Sequence, residues 1–189
     1  MTSRPGRTRY FFRRLPRAAA VLAVGFVLAL PGAALAQDRD GDRHERVVGT
    51  GQQTGKMFRA GRAVAVDAQV SDDLFAAGRA VDVVGARAVD MFLAGSRVSV
   101  RDSAAQDIFA AGAFVEVGGE AGGDVMAAGG RVELSAAVGG DAMLAGARVR
   151  LRDGADIAGD ALVAARRLEV GGHVGGMLRA VANHVVLRG

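Results

Sequence analysis

Cysteine is absent from this 189-residue chain, which excludes disulfides, thiolate nucleophiles and cysteine-based metal sites together. Tryptophan is absent as well, tyrosine occurs once and proline three times, against eight phenylalanines. Half of the residues are hydrophobic, but that half is mostly alanine and valine, and glycine numbers 28. Such small side chains suit thin, closely stacked layers better than a wide globular interior. No 3.6-residue apolar period is sustained anywhere, so a helical domain is not expected. The length fits one ordinary domain.

An excess of positive charge is present only on paper. The chain carries 24 basic and 20 acidic residues, net +4. Six arginines and no acid fall within residues 1–36, where Arg4, Arg7, Arg9, Arg13, Arg14 and Arg17 precede the apolar run "AAAVLAVGFVLAL" (Ala18 to Leu30). A Pro-Gly break and "ALA" at Ala34 to Ala36 follow, the layout of a cleaved secretory signal. The run is short for a membrane span, which needs about 20 apolar residues; an uncleaved anchor is the alternative. Without this leader 18 basic and 20 acidic residues remain, net −2, and the case for nucleic-acid binding disappears. Residues 37–56 then read as a polar linker or N-terminal cap, and "DRDGDRHE" (Asp38 to Glu45) misses the glycine and glutamate positions of a calcium-binding EF-hand loop.

What the chain has in abundance is one phrase. "KMFRAGRAVAV" (Lys56 to Val66) is followed by "DLFAAGRAVDV", "DMFLAGSRVSV", "DIFAAGAFVEV", "DVMAAGGRVEL" and "DAMLAGARVRL". Their glycines, Gly61, Gly78, Gly95, Gly112, Gly129 and Gly146, are spaced by 17 residues at every step. Three residues further on stand Val64, Val81, Val98, Val115, Val132 and Val149. Three residues before stand Phe58, Phe75, Phe92, Phe109, Met126 and Met143. Two looser turns follow, with Ala165 and Ala182 in the glycine position.

A 17-residue unit cannot bury its own apolar face, but stacked copies make a continuous core. The Val-x-Val alternation is that of a strand with one buried face, and glycine at a fixed register predicts a corner with positive φ. The expected fold is all-β: a parallel β-helix (β-solenoid) over residues 57–189, with about eight short coils. Right-handed winding is expected, because parallel crossovers are overwhelmingly right-handed and 17 is not a multiple of the six that marks left-handed helices. Eight coils at ~4.8 Å give a rod on the order of 40 Å long.

These coils, with Val-x-Val strands and Gly-Gly-Asp corners ("GGDV" at Gly122, "GGDA" at Gly139), resemble the bactofilins, polymer-forming cytoskeletal proteins of bacteria. The resemblance covers residues 57–189. It implies a right-handed β-helix that polymerises end to end without nucleotide. Its best-known members are cytosolic, whereas the leader here points to the periplasm or cell envelope.

Candidate sites follow from the columns. Asp73, Asp90, Asp107, Asp124 and Asp141, continued by Asp160, would place carboxylates about 5 Å apart, a repulsion of roughly 1 kcal/mol per pair in water. Capping of backbone N–H groups would offset it. A row of calcium sites is the alternative, although one carboxylate per coil falls short of the six to eight oxygens that calcium takes. Carrying the Val-x-Val alternation backwards points the phenylalanines inward as an aromatic stack. The column Met57, Leu74, Met91, Ile108, Val125 and Ala142, flanked by Leu93 and Leu144, then points outward, as a surface for a partner; the alternative is a corner that turns both columns inward. His44, His173 and His184 occupy different repeat positions, no catalytic spacing recurs, and the glycine-rich corners lack the phosphate-loop pattern, so neither enzyme activity nor a cofactor is expected. Arg97, Arg131, Arg148 and Arg150 read as a solvated face.

The functional expectation is an exported structural scaffold that binds itself, with envelope or membrane components as further partners. Its C-terminal coil, "VANHVVL", lacks a cap, which makes Val185 and Leu187 candidates for self-association. A polysaccharide-binding or carbohydrate-acting β-helix is the alternative, but such proteins carry larger coils and clustered acids. An adhesion or ice-binding module would show threonine ladders, and none occur. The leader yields a direct expectation: mass spectrometry of the exported protein should find a chain beginning near Gln37, and an intact Met1 or Thr2 terminus would reject it.

Overall fold

The structure, a computed structural model, describes residues 46–188. The leader, His44 and the Asp38–Glu45 segment lie outside the described residues. Long strands come first, β1 (Arg46–Gln53), β2 (Met57–Val70), β3 (Leu74–Val84) and β4 (Asp90–Arg101), and then alternate with two-residue ones: β5 (Ala104–Ala105), β6 (Asp107–Val117) and β7 (Glu120–Ala121). The pattern continues through β8 (Val125–Leu134), β9 (Ala137–Val138), β10 (Ala142–Leu151), β11 (Asp156–Ile157), β12 (Ala161–Val170), β13 (His173–Val174) and β14 (Leu178–Leu187). The long strands form one nine-stranded sheet and the short ones a five-stranded sheet, with every pair parallel. This is the parallel β-solenoid of about eight coils that the repeat predicts.

The register is the sequence ruler made physical. Met57 pairs with Leu74, Leu74 with Met91, and Met91 with Ile108, each 17 residues on. The 19-residue step falls between β10 and β12, where Ala142 pairs with Ala161. The two extra residues are absorbed in a turn closed by the Ala155 N–H donating to Arg152 O at 2.8 Å, so the strands on either side stay in register. The sheet also begins earlier than Met57. Residues Arg46–Gln53, expected as linker or cap, pair with Ala63–Val70 as a further half-coil. Their Val47-x-Gly49 is a degraded Val-x-Val without the phrase before it, which hides it from the repeat.

The core reverses one expectation. Met57, Leu74, Met91, Ile108 and Val125 are at most 1% exposed, and Leu93 and Leu144 are buried beside them, so this column is core and not a partner surface. Phe58, Phe75, Phe92 and Phe109 do stack, at 4.7–4.8 Å between ring centres, but on the outside. The reason lies at the corner between the two halves of each long strand. Pairing runs Gly61↔Gly78 and resumes at Ala63↔Ala80, leaving one residue per coil outside the ladder. The alternation slips by one there. Val81 and Val83 point inward after the corner, and Leu74 and Ala76, of opposite parity, point inward before it.

Glycine at that corner also serves differently than expected. None of the repeat glycines has positive φ. A Cβ on Gly78 would overlap Gly61 O, and one on Gly95, Gly112, Gly129 or Gly146 would overlap the carbonyl of the glycine a coil earlier. Close stacking, not left-handed backbone, fixes the residue. The positive-φ corner is a second one, seven residues on, at Gly85, Asp102 and Gly119. Beside it the buried Ser103 hydroxyl donates to Arg101 O at 2.8 Å and accepts from the Ala86 N–H at 3.2 Å.

Two paired substitutions check these faces by urea denaturation. Val115→Asp should cost several kcal/mol, while Glu116→Asp stays near parental stability. Ile108→Ala should cost about 2–5 kcal/mol, and Phe109→Ala clearly less, because a stacked ring contributes about 0.5–1.5 kcal/mol beyond its burial. Equal losses within either pair would mean that the face is misassigned.

Candidate functional site

The side of the rod formed by the first half of each long strand is apolar on its solvent face. The column Phe58, Phe75, Phe92, Phe109, Met126, Met143 and Leu162 lies in register, and an alanine column from Ala60 to Ala164 runs alongside. Phe58 and Leu162, at the two ends, are 64% and 47% exposed, and the members between them are half-buried. The next side of the rod is different in kind. There Arg150 bridges Glu133 (3.6 Å) and Glu169 (2.8 Å), Arg152 pairs with Glu133, and Arg101 pairs with Asp82 at 2.8 Å. The Arg150 hydrogen bond is the main cause holding the Glu169 carboxyl below its ordinary value. An ion ladder of this sort keeps a sheet face in water. The phenylalanine side has no such ladder among the described residues.

Acid borders the apolar face on one edge. Each carboxylate of the column accepts a backbone N–H from the same position one coil later: Asp107 Oδ1 from Asp124, Asp124 from Asp141, Asp141 from Asp160 and Asp160 from Met177, each at 2.8 Å. In return the carbonyls of Asp124, Asp141 and Asp160 accept N–H groups from Ile108, Val125 and Ala142 of the coil before. The clamp explains the Gly-Gly-Asp signature. A Cβ on Gly123, Gly140, Gly159 or Gly176 would overlap the carboxylate of Asp107, Asp124, Asp141 or Asp160. Where Gln106 takes the glycine's place, the bond from Asp107 N–H to Asp90 lengthens to 3.2 Å. Where Val89 does, Asp73 makes no such bond; its carboxylate accepts from the Lys56 ammonium, which raises the Lys56 pKa above its ordinary value. Asp90 is pushed up, first by burial and then by the charges of Asp107 and Asp73, against the pull of the Asp107 N–H.

Base borders the other edge. Arg62, Arg79 and Arg166 occupy the unpaired residue of the slipped corner, and Arg97, Arg131, Arg148 and Arg167 stand one place further on, so that almost every coil carries arginine there. The exception carries Phe114, 51% exposed, with the Arg97 guanidinium 6.0 Å from its ring centre. Arg97, Arg131 and Arg148, expected as a solvated face, stand just past the corner, between the apolar side and the ion ladder to which Arg150 belongs. Sequence reasoning missed the exposed phenylalanines. The signal was the residue after the repeat glycine at each corner, which has no counterpart in a plain period-two count.

The chemistry available here is that of contact. The rings are within 8° of parallel, so their faces are turned to each other and their edges to solvent, an unsuitable platform for stacking sugars. His173 and His184 are exposed on different sheets. Among the described residues no three His, Asp or Glu side chains gather in a metal-holding group; each Oδ1 from Asp90 to Asp160 is occupied by an N–H. Val185 and Leu187 lie exposed on β14. No protein-family model, curated protein or solved structure matches the chain.

The clamp can be tested at Asp124. Asp124→Ala should lose about 1 kcal/mol with the acceptor for the Asp141 N–H, and Asp124→Asn, which keeps an acceptor oxygen and removes a charge, should not. For Asp90 the sign is opposite to that of a salt-bridged acid. A carboxyl pushed up by folding supports the fold when protonated and opposes it as pH rises through its folded pKa. Asp90→Asn should therefore melt above the parent at pH 7, with the difference closing as pH falls below about 4. A constant or negative difference across that range would contradict the clamp's energetics.

Proposed function

We propose that this protein is an exported, non-enzymatic scaffold of the cell envelope that associates with itself coil on coil, in the manner of the bactofilins. The observation that supports it best is at β14. At the two positions where earlier coils bury Val64 and Val66 through Leu168 and Val170, Val185 and Leu187 are 50% and 69% exposed. The outer backbone edge of β14 has no partner strand among the described residues. A second copy's β1 continues the same columns, setting Val47 beside Val185. About ten new backbone hydrogen bonds at about 0.5–1.5 kcal/mol each come near the roughly 4–15 kcal/mol that docking costs. Burial of the valine and leucine side chains then decides the balance. Export rests on the leader.

Sedimentation velocity and electron microscopy of the mature chain should show concentration-dependent growth along one axis. Val185→Lys combined with Leu187→Lys should stop that growth and leave the central coils folded. An unmodified mature chain that never elongates at high concentration would overturn the reading.

A further inference from the structure

We propose that two copies of this chain pair side by side through the phenylalanine–alanine face, with their rod axes parallel. This pairing is lateral and makes no use of the coil ends. The face is built of an aspartate column headed by Lys56, a phenylalanine column and an alanine column, and past the glycine corner comes an arginine edge that shifts by one place between coils. A pair related by a two-fold axis along the rods reverses that order and keeps each coil at its own level. Phe92 of one copy then meets Ala94 of the other, so ridges of rings enter grooves over alanine. The carboxylate edge of one copy meets the arginine edge of the other: Asp124 faces Arg131, and Asp141 faces Arg148.

The antiparallel alternative, with a two-fold axis along the strands, keeps the column order. It sets rings on rings, leaves the alanine groove empty and opposes aspartate to aspartate. Like charges across an interface act against that mode. An anionic lipid surface fits less well, because one whole edge of the face is acidic. Size agrees with a specific contact. Seven coils at ~4.8 Å and about six residues of strand give on the order of 700 Å² per copy, close to the ~800 Å² of a standard interface.

The test uses the mature chain with Val185→Lys and Leu187→Lys, in which coil-on-coil growth is blocked. Sedimentation equilibrium should give twice the chain mass. Adding Ala94→Arg and Ala111→Arg, which fill the groove, should halve that mass with unchanged circular dichroism. Orientation is read without interference, since the chain has no cysteine. Mixing Phe92→Cys chains with Ala94→Cys chains under mild oxidation should yield a disulfide-linked pair, and neither variant alone should. Linkage of Phe92→Cys to Met126→Cys chains instead would mean antiparallel packing and overturn the proposal. So would a monomer at high concentration, including one that sediments with phosphatidylglycerol vesicles. A monomer here beside an unmodified chain that elongates would leave the coil-on-coil reading standing, and the two ideas fail separately.

Discussion

Parallel pairing at a constant offset governs this molecule. Each residue sits over its counterpart from the coil before, so in most columns a side chain is packed against its own kind. A column must therefore be a residue that tolerates itself at about 5 Å. Valine and leucine do so by simple packing, and phenylalanine by ring stacking. Alanine leaves room, and glycine is demanded where carbonyls approach too closely for a Cβ. Aspartate does not tolerate itself, and its column survives because every carboxylate from Asp90 to Asp160 is turned onto an N–H of the next coil and Asp73 onto Lys56.

The same rule divides the outer surface. On the ion-ladder side the columns are not uniform: Glu133, Arg150 and Glu169 alternate in sign, and neighbours attract. On the clamp edge the acid is uniform, and the backbone supplies the compensation. On the side between that edge and the arginines no charge appears from β2 to β12; Arg179 on β14 is the first. Such a face is costly to leave in water and is consistent with assembly.

The coil count, the parallel pairing and the period were legible because repetition multiplies a faint signal. Val-x-Val alone is an ordinary strand, but six copies in register are a solenoid. What repetition does not report is phase. Leu74 and Phe75 recur with equal regularity, and nothing in their spacing says which points inward. That is decided by the residue at Arg79 and its counterparts, which leave the ladder at the corner. Gly78 illustrates the same limit: its constancy was visible, and its cause, the carbonyl of Gly61, was not. The half-coil at Arg46 was hidden for another reason, since a single degraded copy carries too little pattern to stand out.

The aspartate clamp runs in one direction, and this gives the rod a sense of length. A carboxylate on one coil is complete only when the next coil arrives with its N–H. A rod halted after Asp107, Asp124 or Asp141 would carry an idle acceptor and an unscreened charge at its tip. The series closes at Met177, whose N–H donates to Asp160 and which offers no carboxylate onward. At the opposite end Lys56 occupies the column and neutralises Asp73. The column thus has a direction, each acceptor from Asp90 to Asp160 waiting on the coil that follows it, with Lys56 on Asp73 at one end and the Met177 N–H at the other.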